Sequence, residues 1–419
     1  MFGSNAATWG IAGLATFGVI ARPWNLPQYI WAVTGAVLLV AFDLLPWRDA
    51  MMAAGKGTDV YFFLVGMMLL AEIARKEGLF DWLAQQAVKH SRHSAPRLFA
   101  IVYAVGTLVT IFLSNDATAV VLTPAVYAAA RAAKVEPLPY LFVCAFIANA
   151  ASFVLPISNP ANLVLFGERM PPLLEWLRYF ALPSAAAIMA TFVVLRVSQR
   201  NSLRGDIDSA SDQTVVLTRM AALAAVGIGA TAIVLLASSA LGMALGLPTF
   251  VCGVVVAAIV LLVTRQSPVS VVQDISWSVL PLVAGLFILV EGLNRTGVLP
   301  ALAEELKQAA ALSPHATVWG AGFITAFASN LINNLPMGLI AATTTQAAQS
   351  SIHITGAVLI GVDLGPNLSV TGSLATILWL IALRREGEHV GALRFLKLGI
   401  LVMPPALILS LFVLALTAP

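Results

Sequence analysis

The chain has 419 residues, of which 59% are apolar and only 10% are charged, and its formal net charge is +3. A typical soluble domain carries roughly a quarter charged residues, so a soluble or disordered protein of this length is excluded. A nucleic-acid-binding protein is also excluded, because the small positive excess forms no basic stripe interleaved with aromatic residues. The composition predicts a polytopic membrane protein.

Apolar segments long enough to cross a bilayer recur along the chain. A spanning helix needs about 20 apolar residues. The sequence predicts complete spans near residues 7–21, 27–45, 58–74, 173–196, 217–238, 247–264, 278–294 and 395–416. Polar residues interrupt four further apolar stretches, at 98–131, 138–168, 316–348 and 353–383.

All four interruptions contain Asn together with Ser, Asp or Thr, and three of them also contain Pro or Gly. They read SNDAT (114–118), PISNPAN (156–162), SNLINNLP (329–336), and DLGPN (363–367) followed by TGS (371–373). Inside a bilayer, unwound backbone survives only where it is buried in protein or lines a cavity. One such break would suit an ordinary kink, but four breaks at matched places predict a functional site.

Matched residues recur at nearly constant offsets, which indicates two copies of one unit. The offset is 219 for Gly66, Glu72 and Gly78 against Gly285, Glu291 and Gly297. It is 215 for Ser114-Asn115 against Ser329-Asn330, and 214 for Asn149 against Asp363 and Ser158-Asn159 against Gly372-Ser373. We interpret residues 1–196 and 217–419 as the two repeats, joined by a polar linker at 197–216. The first contains a hairpin at 98–131 and a broken helix at 138–168, and the second a hairpin at 316–348 and a broken helix at 353–383.

The distribution of Lys and Arg predicts that the repeats are inverted. Segment 75–97 holds five Lys or Arg residues, whereas the equivalent segment 295–315 holds two, with two Glu. Basic loops favour the cytoplasmic side. With ten crossings and two re-entrant hairpins, 17 of the 23 Lys and Arg residues lie inside, the linker is cytoplasmic and both termini lie outside. The predicted fold is therefore an all-α polytopic membrane protein of two inverted repeats, with about ten transmembrane helices, two re-entrant hairpins and broken helices at the site.

The deepest charges are acidic. Asp116 and Asp363 lie away from span ends, and no Lys or Arg lies as deep. Intramembrane carboxylates are usually functional, and because desolvation favours the protonated form, both are predicted proton carriers. Glu72 and Glu291 lie one turn from span ends, where local pairs are predicted. Glu72 would pair with Arg75 or Lys76, and Glu291 with Arg295.

Inverted repeats with broken helices at mid-depth are typical of secondary transporters. The sequence has no nucleotide-binding motif, so transport would run on a gradient or on a separate ATPase subunit. The breaks offer carboxylates, amides, hydroxyls and helix ends, but no cation for a dicarboxylate or citrate. This favours a neutral, hydroxyl-rich solute or a small cation.

Four segments resemble the ArsB-type arsenite/antimonite efflux permeases of the ion transporter superfamily. They are FLSNDATAVVLTP (112–124), FIANAASFVLPISNPANLV (146–164), FASNLINNLPM (327–337) and VDLGPNLSVTGSLATILWL (362–380). The resemblance implies export of arsenite or antimonite, as the neutral trihydroxide, across the cell inner (plasma) membrane in exchange for protons. It implies no cofactor, and it allows for stimulation by a cytoplasmic ArsA-type ATPase.

The resemblance also assigns site residues. The implied proton-coupling residues are Asp116 and Asp363. The implied substrate-binding residues are Asn115, Thr118, Asn159, Asn162, Asn330, Asn333, Asn334, Gly372 and Ser373. The motif departs at Pro160, where an aliphatic residue is expected, and this change is predicted to alter the geometry near Asn162.

Three alternatives differ in what they require. A Na⁺/H⁺ antiporter of the same superfamily shares the Ser-Asn motifs and is the nearest rival. An intramembrane enzyme would need a nucleophile–base pair or a metal cluster at one depth, yet all five histidines lie near or beyond predicted span ends. A structural scaffold leaves the four matched breaks unexplained. We therefore expect a transporter, not an enzyme.

Overall fold

The structure is a computed structural model that describes residues 2–204 and 216–417. Within these ranges the chain forms α-helices with short 3₁₀ and π-helical turns, and it has no β-strand. The predicted linker 197–216 begins inside a helix, since Val197 and Ser198 are still helical. Residues 205–215 of that linker lie outside the described residues.

The first half, as described from residue 2 to residue 204, contains eleven α-helices. They are α1 (Phe2–Ala21), α2 (Gln28–Ala41), α3 (Trp47–Gly55), α4 (Thr58–Lys76), α5 (Leu79–His90), α6 (Ala95–Leu113), α7 (Asn115–Ala117), α8 (Thr123–Ala132), α9 (Leu138–Ala150), α10 (Pro160–Phe166) and α11 (Leu173–Ser198). A π-helical turn, Thr118–Leu122, joins α7 to α8.

The second half contains ten more α-helices in the described residues. They are α12 (Arg219–Ala240), α13 (Gly246–Thr264), α14 (Pro268–Asp274), α15 (Val279–Arg295), α16 (Val298–Leu312), α17 (Pro314–Ile332), α18 (Asn334–Ala347), α19 (Ile352–Leu364), α20 (Leu374–Arg385) and α21 (Ala392–Leu416).

Proline and glycine mark several helix starts. Pro96, Pro160 and Pro314 stand in the first turn of α6, α10 and α17, where the missing N–H costs no hydrogen bond. Gly78 (φ 76°) and Gly297 (φ 86°) precede α5 and α16 in the left-handed conformation that glycine adopts without strain. The equivalent glycines, Gly78 and Gly297, therefore produce equivalent turns in the two halves.

Packing between the halves is reciprocal. Helix α4 packs against α13, and its counterpart α15 packs against α2. Likewise α10 packs against α18, while α20 packs against the π-helical turn of the first hairpin. Because each half contributes the same elements to both interfaces, the predicted fold class of paired repeats is confirmed. The exact boundaries 1–196 and 217–419 stay a prediction.

A repeated glycine allows these close helix crossings. A Cβ added to Gly285 would lie 2.8 Å from the backbone carbon of Ala32 on α2. At the equivalent Gly66 an added Cβ would run into the backbone of Thr249 on α13. Small residues permit such close approach between helices inside membranes. The 219-residue repeat of these glycines therefore has a packing cause.

Both predicted hairpins fold back. Helix α5 packs against both α6 and α8, and α16 packs against both α17 and α18. The arms of each hairpin thus return to one helix. The tips are Ser114 (φ 122°) and Asn333 (φ 72°), and neither residue is glycine. Such conformations persist where the surrounding structure enforces them, often at functional sites.

The register of the second hairpin corrects one sequence alignment. Its tip lies at Asn333, 219 residues after Ser114, the same offset as that of the repeated glycines. The predicted match of Ser114-Asn115 with Ser329-Asn330 is therefore wrong. Helix α17 continues through Ser329, whose hydroxyl donates to the Thr325 carbonyl at 2.8 Å.

Within the described residues, five helices are long and apolar enough to cross a membrane alone: α6, α11, α12, α13 and α21. Two bent pairs, α3–α4 (47°) and α14–α15 (41°), raise this number to seven. The predicted spans 58–74 and 278–294 are thus each preceded by a short, angled helix. The shorter apolar helices α2, α9 and α19 complete the framework.

Candidate functional site

Two central helices, α9 and α19, carry the polar residues deepest into the protein. Every residue of α9 from Pro139 to Ala150 is buried, as is every residue of α19 from Gly356 to Leu364. Each helix ends in an unwound segment before the next helix begins. Side chains then cap the new helices: Asn159 accepts from the Ala161 amide at 3.0 Å, and Ser373 accepts from the Thr376 amide at 3.1 Å.

Asp363 and Asn159 meet across the two repeats. The Asn159 amide donates to Asp363 Oδ1 at 2.8 Å, and both side chains are buried. The other carboxylate oxygen, Oδ2, has no hydrogen-bond partner among the described residues. A buried, incompletely paired carboxylate is costly in a membrane protein, so Asp363 stays a candidate functional residue.

Asn149 makes the reciprocal contact from the first repeat. Its amide donates to Asn367 Oδ1 at 3.0 Å and to the Thr376 hydroxyl at 3.4 Å. Asn149 and Asp363 are 214 residues apart, and each reaches the broken helix of the other repeat. The sequence reasoning aligned Asn149 with Asp363 but left Asn149, Asn367 and Thr376 out of the site. The alignment of Asn149 with Asp363 was the sequence signal that could have placed Asn149 in the site.

Asn162 is engaged in holding the first break. Its amide donates to the carbonyls of Ser152, Leu155 and Pro156 at 2.9, 3.2 and 3.3 Å. These bonds satisfy backbone carbonyls that the unwound segment would otherwise leave unpaired. Asn162 Oδ1 is buried without a partner among the described residues.

Asn330 anchors the second hairpin to the second break. Its amide donates to the carbonyls of Ala326 and Gly365 at 2.8 and 2.9 Å, and its oxygen accepts from the Ser369 hydroxyl at 2.6 Å. All the hydrogen-bonding atoms of this side chain thus have protein partners.

The tip of the second hairpin is also tied to this break. The Asn333 amide donates to the Thr371 carbonyl at 3.1 Å, and its oxygen accepts from the Leu335 amide at 3.3 Å. The backbone amide of Asn334 donates to the Gly372 carbonyl at 2.8 Å. Asn330, Asn333, Asn334 and Gly372 thus belong to one hydrogen-bonded group. Asp363 and Ser373 lie outside it, because they bond to Asn159 and Thr376.

The first hairpin is different, because its acidic residue, Asp116, has no partner in the part of the chain that the structure describes. Asn115 is buried, and its Oδ1 has no hydrogen-bond partner in the described part of the chain. The Thr118 hydroxyl is 2.8 Å from that of Thr110. Asp116 forms no hydrogen bond or ion pair with the described residues and instead lines a cavity of about 90 Å³. Helix α4 and the α14–α15 bend form the opposite wall.

Four charged side chains stand where the cavity meets the ends of α4 and α14. Arg75 forms a bidentate pair with Glu72, at 2.6 and 2.9 Å, and lies 3.2 Å from Asp274. Lys76 lies 3.7 Å from Glu72 and 3.1 Å from Asp274. The predicted local pairs of Glu72 are confirmed, but Asp274, from the other repeat, was not predicted.

An equivalent group ties the end of α15 to α3. Glu291 lies 3.0 Å from Lys56 and 4.0 Å from Arg295, which also pairs with Asp49. The predicted pair of Glu291 with Arg295 is therefore present as the longest of these contacts. In both groups, the long helix of one repeat is bound to the short helix of the other.

Comparison with known families identifies the fold. A family model described as citrate transporter, CitMHS, matches residues 16–362. The chain belongs to the CitMHS family. This CitMHS protein is also 27% identical over 416 residues to the arsenical pump membrane protein of Escherichia coli (strain K12), with 95% of each chain covered. The resemblance to arsenical efflux permeases is thus confirmed.

Two solved structures share the fold of this CitMHS protein. The Alcanivorax borkumensis YdaH transporter is 15% identical, with a TM-score of 0.56 over 93% of this chain and 97% of that one. Neisseria gonorrhoeae MtrF, from a class of antimetabolite efflux pumps, is 14% identical, with a TM-score of 0.58 over 91% and 84%. The chain is a multi-pass transporter of the bacterial inner membrane, not an enzyme.

Proposed function

We propose that this protein exports arsenite or antimonite, as the neutral trihydroxide, in exchange for protons. The observation that carries the proposal is Asp116, an unpaired carboxylate at a hairpin tip that faces a small cavity. The relative named as an arsenical pump membrane protein supports the metalloid cargo.

The charge of the cavity lining argues against a citrate-like anion at this site. No Lys or Arg is among the described residues that line the cavity. The nearest cations at its edge, Arg75 and Lys76, are already paired with Glu72 and Asp274.

Exchange follows if cargo and proton compete for one carboxylate. Ionised Asp116 can accept hydrogen bonds from the hydroxyls of the cargo. Asn115 is proposed as a further substrate-binding residue, although its side chain is buried and is not among the described residues that line the cavity. When the cargo has left, a proton neutralises Asp116, which lowers the cost of holding it in an apolar environment. Asp363 is proposed as the second coupling carboxylate. Its hydrogen bond with Asn159 would make the first broken helix sensitive to its charge.

The other predicted residues are proposed to shape the site. Thr118 belongs to the first hairpin, and Asn159 and Asn162 to the first break. In the second half the proposed residues are Asn330, Asn333, Asn334, Gly372 and Ser373. We further propose that segment 75–97 and linker 197–216 are cytoplasmic, and that an ArsA-type ATPase can stimulate transport.

Uptake into everted membrane vesicles tests the proposal. With an acidic lumen, vesicles that contain the protein should accumulate arsenite and antimonite, and collapse of the pH gradient should abolish accumulation. Control vesicles without the protein should show neither effect. A Na⁺-evoked pH change with no effect of arsenite would instead establish the Na⁺/H⁺ antiporter. Citrate accumulation without arsenite transport would also contradict the proposal.

A further inference from the structure

Two methionines line the cavity that Asp116 faces. Met67 and Met68 are consecutive on α4, and Met67 is only 4% exposed. Phe63, Leu64 and Ala71 also line it from α4, and Glu72 lies at its edge, so the thioethers stand on a mainly hydrocarbon surface that ends in a carboxylate. The cavity therefore places a carboxylate from the hairpin opposite soft sulfur atoms from α4.

Packing alone does not explain this choice of residues. At the repeat offset of 219, Leu286 and Phe287 on α15 correspond to Met67 and Met68. Leu335 in the second hairpin corresponds to Asp116. The same helix–hairpin contact is thus built with hydrocarbon in the second repeat, where α15 packs against α18. At these matched positions, the thioethers and the hairpin carboxylate are both present in the first repeat and both missing from the second.

The chemistry of sulfur indicates what the methionine thioethers and the Asp116 carboxylate could bind together. A thioether is polarisable and favours soft partners, whereas hydroxyl groups favour hard acceptors such as carboxylate. Pyramidal arsenic(III) and antimony(III) trihydroxides offer both kinds of group: hydroxyls on one side and a soft central atom. No cysteine is among the described residues that line the cavity. Thioether contact would be reversible, as repeated release requires.

We propose that Met67 and Met68 are specificity-determining residues that contact the arsenic or antimony atom while Asp116 accepts from its hydroxyls. This inference rests on the proposed function. The contacts form and break no covalent bond. Since antimony is the softer element, the thioethers should contribute more to antimonite binding than to arsenite binding.

The test is binding of each metalloid to the full-length protein in lipid nanodiscs, measured by equilibrium dialysis. The double variant Met67→Leu/Met68→Leu keeps side-chain volume and apolar character, a swap that cores tolerate well. We expect a severalfold loss of affinity, larger for antimonite than for arsenite. The matched control is Met189→Leu on α11, whose side chain is 61% exposed, and it should bind like the unaltered protein.

Each outcome decides between the two proposals. If the unaltered protein binds both metalloids and the double variant binds them equally well, the thioether inference is wrong and the proposed function stands. If the unaltered protein binds neither metalloid, both are wrong. Thermal unfolding of each variant in nanodiscs checks the fold, and the single variants Met67→Leu and Met68→Leu replace the double variant if it unfolds early.

Discussion

Asn159 donates a 2.8 Å hydrogen bond to Asp363, although 204 residues separate them in the chain. The bond joins the cap of α10, in the first repeat, to the end of α19, in the second. Both side chains are buried, so protonation of Asp363, or loss of either side chain, should affect both broken helices. We therefore predict different effects for removing the charge of Asp363 and for removing the Asn159 amide donor.

Asp363→Asn should remove the charge while keeping an acceptor oxygen for Asn159. We expect the protein to fold and insert normally, but arsenite uptake should respond weakly to an imposed pH gradient. The measurement is initial uptake rate into everted vesicles at several lumenal pH values. An unchanged pH profile would show that Asp363 takes no part in coupling.

Asn159→Ala should instead destabilise the protein, because it leaves Asp363 without its amide donor and removes the cap of α10. Stranding a buried polar group costs about 1–3 kcal/mol, so the unfolding temperature in detergent should fall. Asn201→Ala, at an exposed residue outside the two breaks, is the comparison variant. Equal unfolding temperatures for both variants would contradict this role for Asn159.

Gly372→Ala should disrupt the contact between the second hairpin and the second break. A Cβ there would lie 2.8 Å from Asn330 Oδ1 and 2.5 Å from Pro366 Cα. Overpacking of this kind costs about 1–3 kcal/mol, and transport should fall with stability. Gly320→Ala is the matched control, since its added Cβ meets no atom within 4 Å. A stable, fully active Gly372→Ala variant would refute the tight packing.

Inversion of the repeats predicts opposite labelling of two equivalent residues. Lys89 on α5 and Gln308 on α16 are 219 residues apart, and both are exposed. In a variant lacking Cys144 and Cys252, Gln308→Cys should react with an impermeant maleimide in intact cells. Lys89→Cys should react only after the membrane is permeabilised. Labelling of both residues from the same side would exclude inverted repeats.

The two ion-pair groups should differ in their effect on stability. The Glu72 side chain is 9% exposed and that of Glu291 is 20% exposed. Breaking the more buried pair leaves a more poorly solvated carboxylate. Arg75→Gln should therefore lower the unfolding temperature more than Arg295→Gln, measured under identical detergent conditions. The reverse order would contradict the burial argument.

Much of the fold could be predicted because membrane solvation restricts where charges and unwound backbone can occur. Helix breaks, the local pairs of Glu72 and the deep carboxylates Asp116 and Asp363 all follow from that restriction. The second hairpin tip could not be located, because Ser329-Asn330 and Asn333-Asn334 are both plausible turn sequences. Only packing shows that α17 continues to Ile332.

Long-range partners were the other gap in the sequence reasoning. Nothing in local spacing brings Asn149 to Thr376, or Asp274 to Lys76. The repeat alignment did hold part of this information, since Asn149 matched Asp363. Met67 and Met68 were hidden for a different reason: in an apolar helix, methionine is indistinguishable from ordinary packing until the cavity beside it is known.

The central claim is that Asp116 couples metalloid export to protons, and Asp116→Asn tests it most directly. Everted vesicles that contain equal amounts of the unaltered protein, Asp116→Asn, or the exposed control Asp81→Asn are given arsenite with an acidic lumen. We predict gradient-driven accumulation with the unaltered protein and the control, and none with Asp116→Asn. Accumulation by Asp116→Asn at the unaltered rate and with the same pH dependence would contradict the account.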